Sequence, residues 1–151
     1  MVYVDTSVIV TLYVKEEYSR KAADWIRNND ESIPLTPFHE LEFSNAVNLK
    51  LFRKELTETE AELIFSRLIE HQQRGVFYQP LINWPEIMPR SIALSKRHTP
   101  VLGSRSLDIV HVALALSIRA NRFLTFDERQ SRLAAAVGLQ VITHTSYGFL
   151  A

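Results

Sequence analysis

Short runs rich in β-branched and aromatic residues alternate with longer segments of helical periodicity, and this alternation restricts the fold more than any other feature of the chain. The strand-like runs fall at residues 2–4, 32–36, 76–81, 122–126 and 139–143. Between them, residues 6–14 and 16–29 read as helical, the second with Ala22, Trp25 and Ile26 on one face. A helix over 37–53 opens on Pro37, whose missing N–H is not needed at a first helical position. A helix over 57–73 opens with Thr57 and Glu60 at capping-box spacing. Further helices are predicted over 85–97, 106–120 and 127–137, the last ended by Gly138. Residues 106–120 are apolar on most faces, which predicts a central, buried helix. Short apolar strands joined by helices indicate a parallel sheet covered on both sides, so the expected class is α/β in three layers, α/β/α.

A chain of 151 residues fits one domain, here 1–151, able to bury roughly two thirds of its unfolded surface. Apolar residues at 46% and charged residues at 23% exclude a disordered chain. The absence of cysteine excludes disulfides and thiolate metal sites. The opening MVYVDTSVIV lacks the features of a signal peptide, and no apolar run reaches bilayer-spanning length, so a cytoplasmic protein without membrane contact is expected. With 17 basic and 17 acidic side chains the net charge is zero, which leaves nucleic-acid binding to the distribution of charge.

Four acids stand where an α/β sheet would gather them. Asp5 and Asp127 follow the first and fourth strand runs, and ligands of open parallel sheets bind beyond the strands' carboxyl ends. Asp108 lies in the first turn of the apolar helix and Glu42 in the helix after the second strand. Each has a plain structural alternative: Asp5 and Asp127 as helix N-caps, Asp108 as a first-turn acid suited to the helix dipole, Glu42 as a solvated side chain. Asp108 is the sharpest case, since Leu107, Ile109 and Val110 flank it and a carboxylate among apolar groups is costly unless paired. Several carboxylates in one pocket repel each other unless a cation sits among them. A hard divalent ion, Mg²⁺ or Mn²⁺, would take these oxygens and leave positions for substrate phosphate, implying hydrolysis at phosphorus.

The motifs around these acids resemble those of the PIN-domain ribonucleases, including the VapC-type toxins of type II toxin–antitoxin systems. Tyr3-Val4-Asp5-Thr6-Ser7 resembles the family's opening, and Leu41-Glu42-Phe43-Ser44-Asn45-Ala46-Val47 its glutamate-bearing helix. Ser106-Leu107-Asp108-Ile109-Val110-His111-Val112-Ala113 is similar to the third motif. Leu124-Thr125-Phe126-Asp127-Glu128-Arg129 is similar to the fourth. The resemblance implies a central parallel five-stranded sheet, a catalytic Mg²⁺ or Mn²⁺ site on Asp5, Glu42, Asp108 and Asp127, and RNA cleavage leaving a 5′-phosphate and a 3′-hydroxyl. It further implies a small cognate antitoxin as partner, and a homodimer. Glu40 is the second choice for the glutamate, in which case it would face solvent if Glu42 holds the site.

Thr6, Ser7 and Thr125 are candidate supports, able to hydrogen-bond a carboxylate or a metal-bound water, or simply to cap helix and strand ends. His111, one turn after Asp108, reads either as a partner of the site or as a satisfied histidine in a packed helix, the second being the weightier, and is not counted as catalytic. For RNA phosphates the candidates are Arg105, Arg129, Lys50 and Arg53, with Lys54 and the cluster Lys96-Arg97-His98 behind them. Leu12, Tyr13, Tyr18, Trp25 and Ile26 are expected in the core, or in part on a groove for an antitoxin helix or a dimer face. Two other functions compete: a phosphatase with Asp5 as nucleophile, which would want a second aspartate two residues on, and a PIN-like or receiver-like module that binds a partner without catalysis. A phosphate-binding glycine loop is absent.

Overall fold

The computed structural model describes residues 1–146. Its strands are β1 (Val2–Val4), β2 (Ile33–Pro34), β3 (Phe77–Tyr78), β4 (Arg122–Leu124) and β5 (Gln140–Ile142). Its helices are α1 (Thr6–Val10), α2 (Ser19–Arg27), α3 (Pro37–Phe52) and α4 (Glu58–Gln73), then α5 (Trp84–Leu102), α6 (Ser106–Ser117) and α7 (Glu128–Ala136). Every strand pairing is parallel, as the alternation requires. The class is α/β, consistent with a three-layer sandwich. The strands do not share one ladder, however: β1, β4 and β5 form a three-stranded sheet in the order β1–β4–β5, and β2 pairs with β3 alone. In β2 the N–H groups of Ile33 and Leu35 donate to Val76 and Tyr78 of the β3 side. The intervening residue would donate from the opposite edge, and it is Pro34, which has no N–H. That edge cannot carry a full ladder.

The described residues fall into two compact units, one made of the first five residues with the chain from Pro80 onward, the other of Thr6–Gln79. In the first unit, Tyr3 is in register with Phe123, and Phe123 with Val141. The ladder runs past the strand ends, where Asp5 N–H donates to Leu124 at 2.9 Å and Thr125 N–H to Ile142 at 3.1 Å. Helix α6 is the core of this unit: Ile109 to Ala115 are all buried, as its apolar circumference predicts. It packs on α5 and α7. Helix α5 is longer than the predicted 85–97 and passes through Pro89 and Pro100, ending at Gly103, whose φ of 64° closes it in the left-handed region.

In the second unit, α3 and α4 each open with a capping box, Thr36 with His39 and Thr57 with Glu60. Phe43 is wholly buried, with the rings of Tyr13 and Phe65 edge-on to it at 5.3 and 6.2 Å. The predicted strand over 76–81 shrinks to Phe77–Tyr78, because Pro80 cannot extend the ladder, and Leu81 is fully exposed. Leu12, Tyr13, Tyr18, Trp25 and Ile26 are half-buried rather than core; on α2, a nine-residue helix, Ala22 alone is fully buried.

Leu114 on α6 has no exposed surface. Leu114→Ala is expected to lower stability by about 2–5 kcal/mol, the range for truncating a fully buried leucine, measured by urea unfolding.

Candidate active site

Three of the four predicted acids belong to the first unit. Asp5 stands directly after β1 and is 6% exposed. Its Oδ1 lies 3.3 Å from Gln130 Nε2, which donates to it, and 3.4 Å from His111 Nε2. Side chains of α6 and α7 thus address its carboxylate.

Asp127 does cap a helix. Its Oδ1 accepts from the N–H groups of Arg129 at 2.7 Å and Gln130 at 3.0 Å, at the start of α7. Its own N–H donates to Thr125 Oγ1 at 3.0 Å, a short turn that carries the chain from β4 into the cap. Thr125 is wholly buried, so its support goes to the turn.

Asp108 is half-buried in the first turn of α6, with a carboxylate that accepts from the Arg105 backbone N–H. Its Oδ2 is buried and has no hydrogen-bond partner. Burial raises the Asp108 carboxyl above the ordinary carboxylate range, and the charges of Asp127 and then Asp5 raise it further. The Arg105 N–H and guanidinium oppose the shift and do not cancel it. The three aspartates thus share one electrostatic neighbourhood. Among the described residues, no three His, Asp or Glu side chains form a ready-made metal cage.

Glu42, the fourth acid, lies in the second unit, half-buried on α3, where Thr6 Oγ1 donates to its Oε2 at 2.7 Å. Thr6 thus supports a carboxylate, whereas Ser7 is exposed on α1. Glu40, expected to face solvent, is half-buried. Gln72 and Gln79 donate to its two carboxylate oxygens at 3.1 and 3.5 Å, from α4 and the segment after β3. Among the cations, Arg105, Arg129 and Arg53 are exposed, while Lys50 is bridged to Glu16 at 3.0 Å and Glu55 at 3.3 Å.

His111, read from the sequence as a packed histidine before a partner of the site, is buried beside Asp5, and the sequence reading did not single out Tyr3 or Gln130. His111 is 2% exposed, with Nδ1 2.8 Å from the Tyr3 hydroxyl. Two signals were available. Tyr3 is two residues before Asp5, so strand alternation places both on one side, and Gln130 follows Asp127 by three residues, close to one helical turn.

A sequence model of the family described as PIN domain matches residues 2–136. The chain belongs to the PIN domain family. That single match spans both units, and PIN domains are generally nucleases. No curated protein sequence matches this PIN domain. Its fold is similar to that of a chain in the crystal structure of FitAcB from Neisseria gonorrhoeae, with a TM-score of 0.69, 16% identity and 100% of both chains covered. No helix among the described residues is long and apolar enough to cross a membrane.

The raised Asp108 carboxyl has a consequence for stability. Because the folded protein holds that proton more tightly than the unfolded chain, ionising Asp108 costs folding free energy. The cost begins as pH rises past the ordinary carboxylate range and is complete above the folded-state value. In chelator-treated protein, Asp108→Asn should raise Tm at neutral pH and lose that advantage on acidification, read from thermal melts between about pH 4 and pH 8.

Proposed function

We propose that this PIN domain is a divalent-metal-dependent endoribonuclease, the toxin of a type II, VapC-type toxin–antitoxin pair, working in the cytoplasm as one domain and as a homodimer. The observation that carries the reading is the buried, unpartnered Oδ2 of Asp108 in the field of two further aspartates. Such an oxygen is matched by a cation. The donor set is all oxygen, and Mg²⁺ or Mn²⁺ needs only one or two protein carboxylates while keeping several waters, which fits aspartates that are neighbours without forming a cage. Asp5, Asp108 and Asp127 would hold the ion. Glu42 is assigned to the same role on the strength of its motif. When bound, the metal supplies a polarised phosphoryl oxygen and a water of lowered pKa.

The remaining work falls to the chain itself. Asp127 holds the first N–H groups of α7 in place while lending its charge to the site. Arg105 and Arg129, both exposed and each close in sequence to a site aspartate, would bind the RNA backbone without reading sequence. Arg53 is a further exposed cation. Lys50 is a weaker candidate than its position suggested, because RNA would have to displace Glu16 and Glu55. A small cognate antitoxin would hold the enzyme silent.

The competing reading is a module that binds a partner without catalysis, favoured by the structural bond that Asp5 and Asp127 each already make. End-labelled RNA incubated with purified protein and Mn²⁺ separates the two. Asp5→Asn and Asp108→Asn should each lower cleavage by at least about 100-fold, since even outer partners of metal ligands account for about 10–100-fold. Wild-type rates in either variant would sink the metal-site assignment, and an inactive wild-type chain that still binds its genomic neighbour's product would favour the partner module.

A further inference from the structure

Two helices of the first unit repeat one device. On α6, Asp108 is followed three residues later by His111; at the start of α7, Asp127 is followed three residues later by Gln130. In each case the later residue turns a nitrogen toward the same atom, Oδ1 of Asp5, at 3.4 Å from His111 Nε2 and 3.3 Å from Gln130 Nε2. Both residues are buried, at 2% and 1% exposure. Neither is needed there for packing alone, because a leucine would fill either place without requiring a polar partner.

The histidine is held in turn. A carboxylate oxygen accepts, so a His111 ring that is neutral with its hydrogen on the nitrogen facing Asp5 has Nδ1 as an acceptor. The Tyr3 hydroxyl lies 2.8 Å from Nδ1 and is the donor in that arrangement. Tyr3 is itself fixed, wholly buried with its ring stacked on Phe123 at 5.3 Å and 16°. A chain of polar contacts therefore runs from β1 through α6 back to the aspartate that follows β1.

We propose that Tyr3, His111 and Gln130 are positioning residues that set the Asp5 carboxylate for divalent-metal binding, an inference that rests on the metal-dependent reading above. Tyr3 selects the tautomer of His111, and His111 and Gln130 fix one oxygen of Asp5 from two helices that each bring an aspartate of their own. Partners of this kind tune metal affinity without touching the metal.

The test is a Mn²⁺ titration of metal-free protein, followed by electron paramagnetic resonance, for wild type, Tyr3→Phe and Gln130→Leu, with the Tm of each metal-free protein measured alongside. Tyr3→Phe keeps the ring on Phe123 and removes only the hydroxyl. Each variant should bind Mn²⁺ about 10-fold more weakly while still folded, and recover RNA cleavage to within about threefold of wild type at saturating Mn²⁺. Variants with a lowered Tm and wild-type Mn²⁺ affinity would overturn the inference, reducing the network to core stabilisation while leaving the nuclease reading intact. A wild-type protein that takes up no Mn²⁺ would instead remove the metal site and this inference together. Should Tyr3→Phe not fold, Gln130→Leu decides by itself, since it deletes an independent donor to the same oxygen.

Discussion

An oxygen withdrawn from water and given no donor has to be matched by charge, and in this PIN domain that demand is sharpest at Asp108. The surroundings leave the side chain little choice. Helix α6 is buried along Ile109 to Ala115, and Asp108 stands half-buried just before that run. Its position in the first turn gives partial relief, through the helix dipole and the Arg105 N–H, and one oxygen is still left over. Two more aspartates nearby make the position worse. A fold that only needed stability would not concentrate like charge at the start of that helix.

The backbone does much of the arranging. Parallel strands β1 and β4 end at the same level because they are in register, and the residues just beyond them are Asp5 and the turn leading to Asp127. The turn relies on a buried threonine hydroxyl and the cap on a carboxylate oxygen, both short-range bonds that the local sequence specifies. Asp5, Asp108 and Asp127 are thus carried at the ends of regular elements.

What the sequence revealed and what it hid follow from the range of the interactions. Helix and strand order, the Thr57–Glu60 box and the buried character of α6 depend on neighbours within a turn or two and were legible. The places of Asp5 after β1, Asp108 in the first turn of α6 and Asp127 before α7 were legible too, because strand ends and first turns mark themselves. The limits of the short strands were not, since they depend on which prolines fall on which edge. Nor were the partners that settle each polar group. Glu40 reads as an exposed helix residue until Gln72 and Gln79 arrive from 32 and 39 residues away. Lys50 reads as a free cation until Glu16 and Glu55 are found beside it. Gln130 reads as one polar residue of a polar helix, and only the fold aims it at an aspartate 125 positions earlier. Half-burial of Trp25 and Ile26 is likewise set by how much surface a nine-residue helix has to cover.

The double duty of Asp127 bears on how kindred chains are read. A copy that had lost its chemistry would still be under pressure to keep aspartate, or another good capping residue, at that place, merely to begin its last helix. Finding the acid there in some distant homologue is consequently poor testimony of activity. Asp108 makes no such cap, and its burial beside two like charges works against its ionised form.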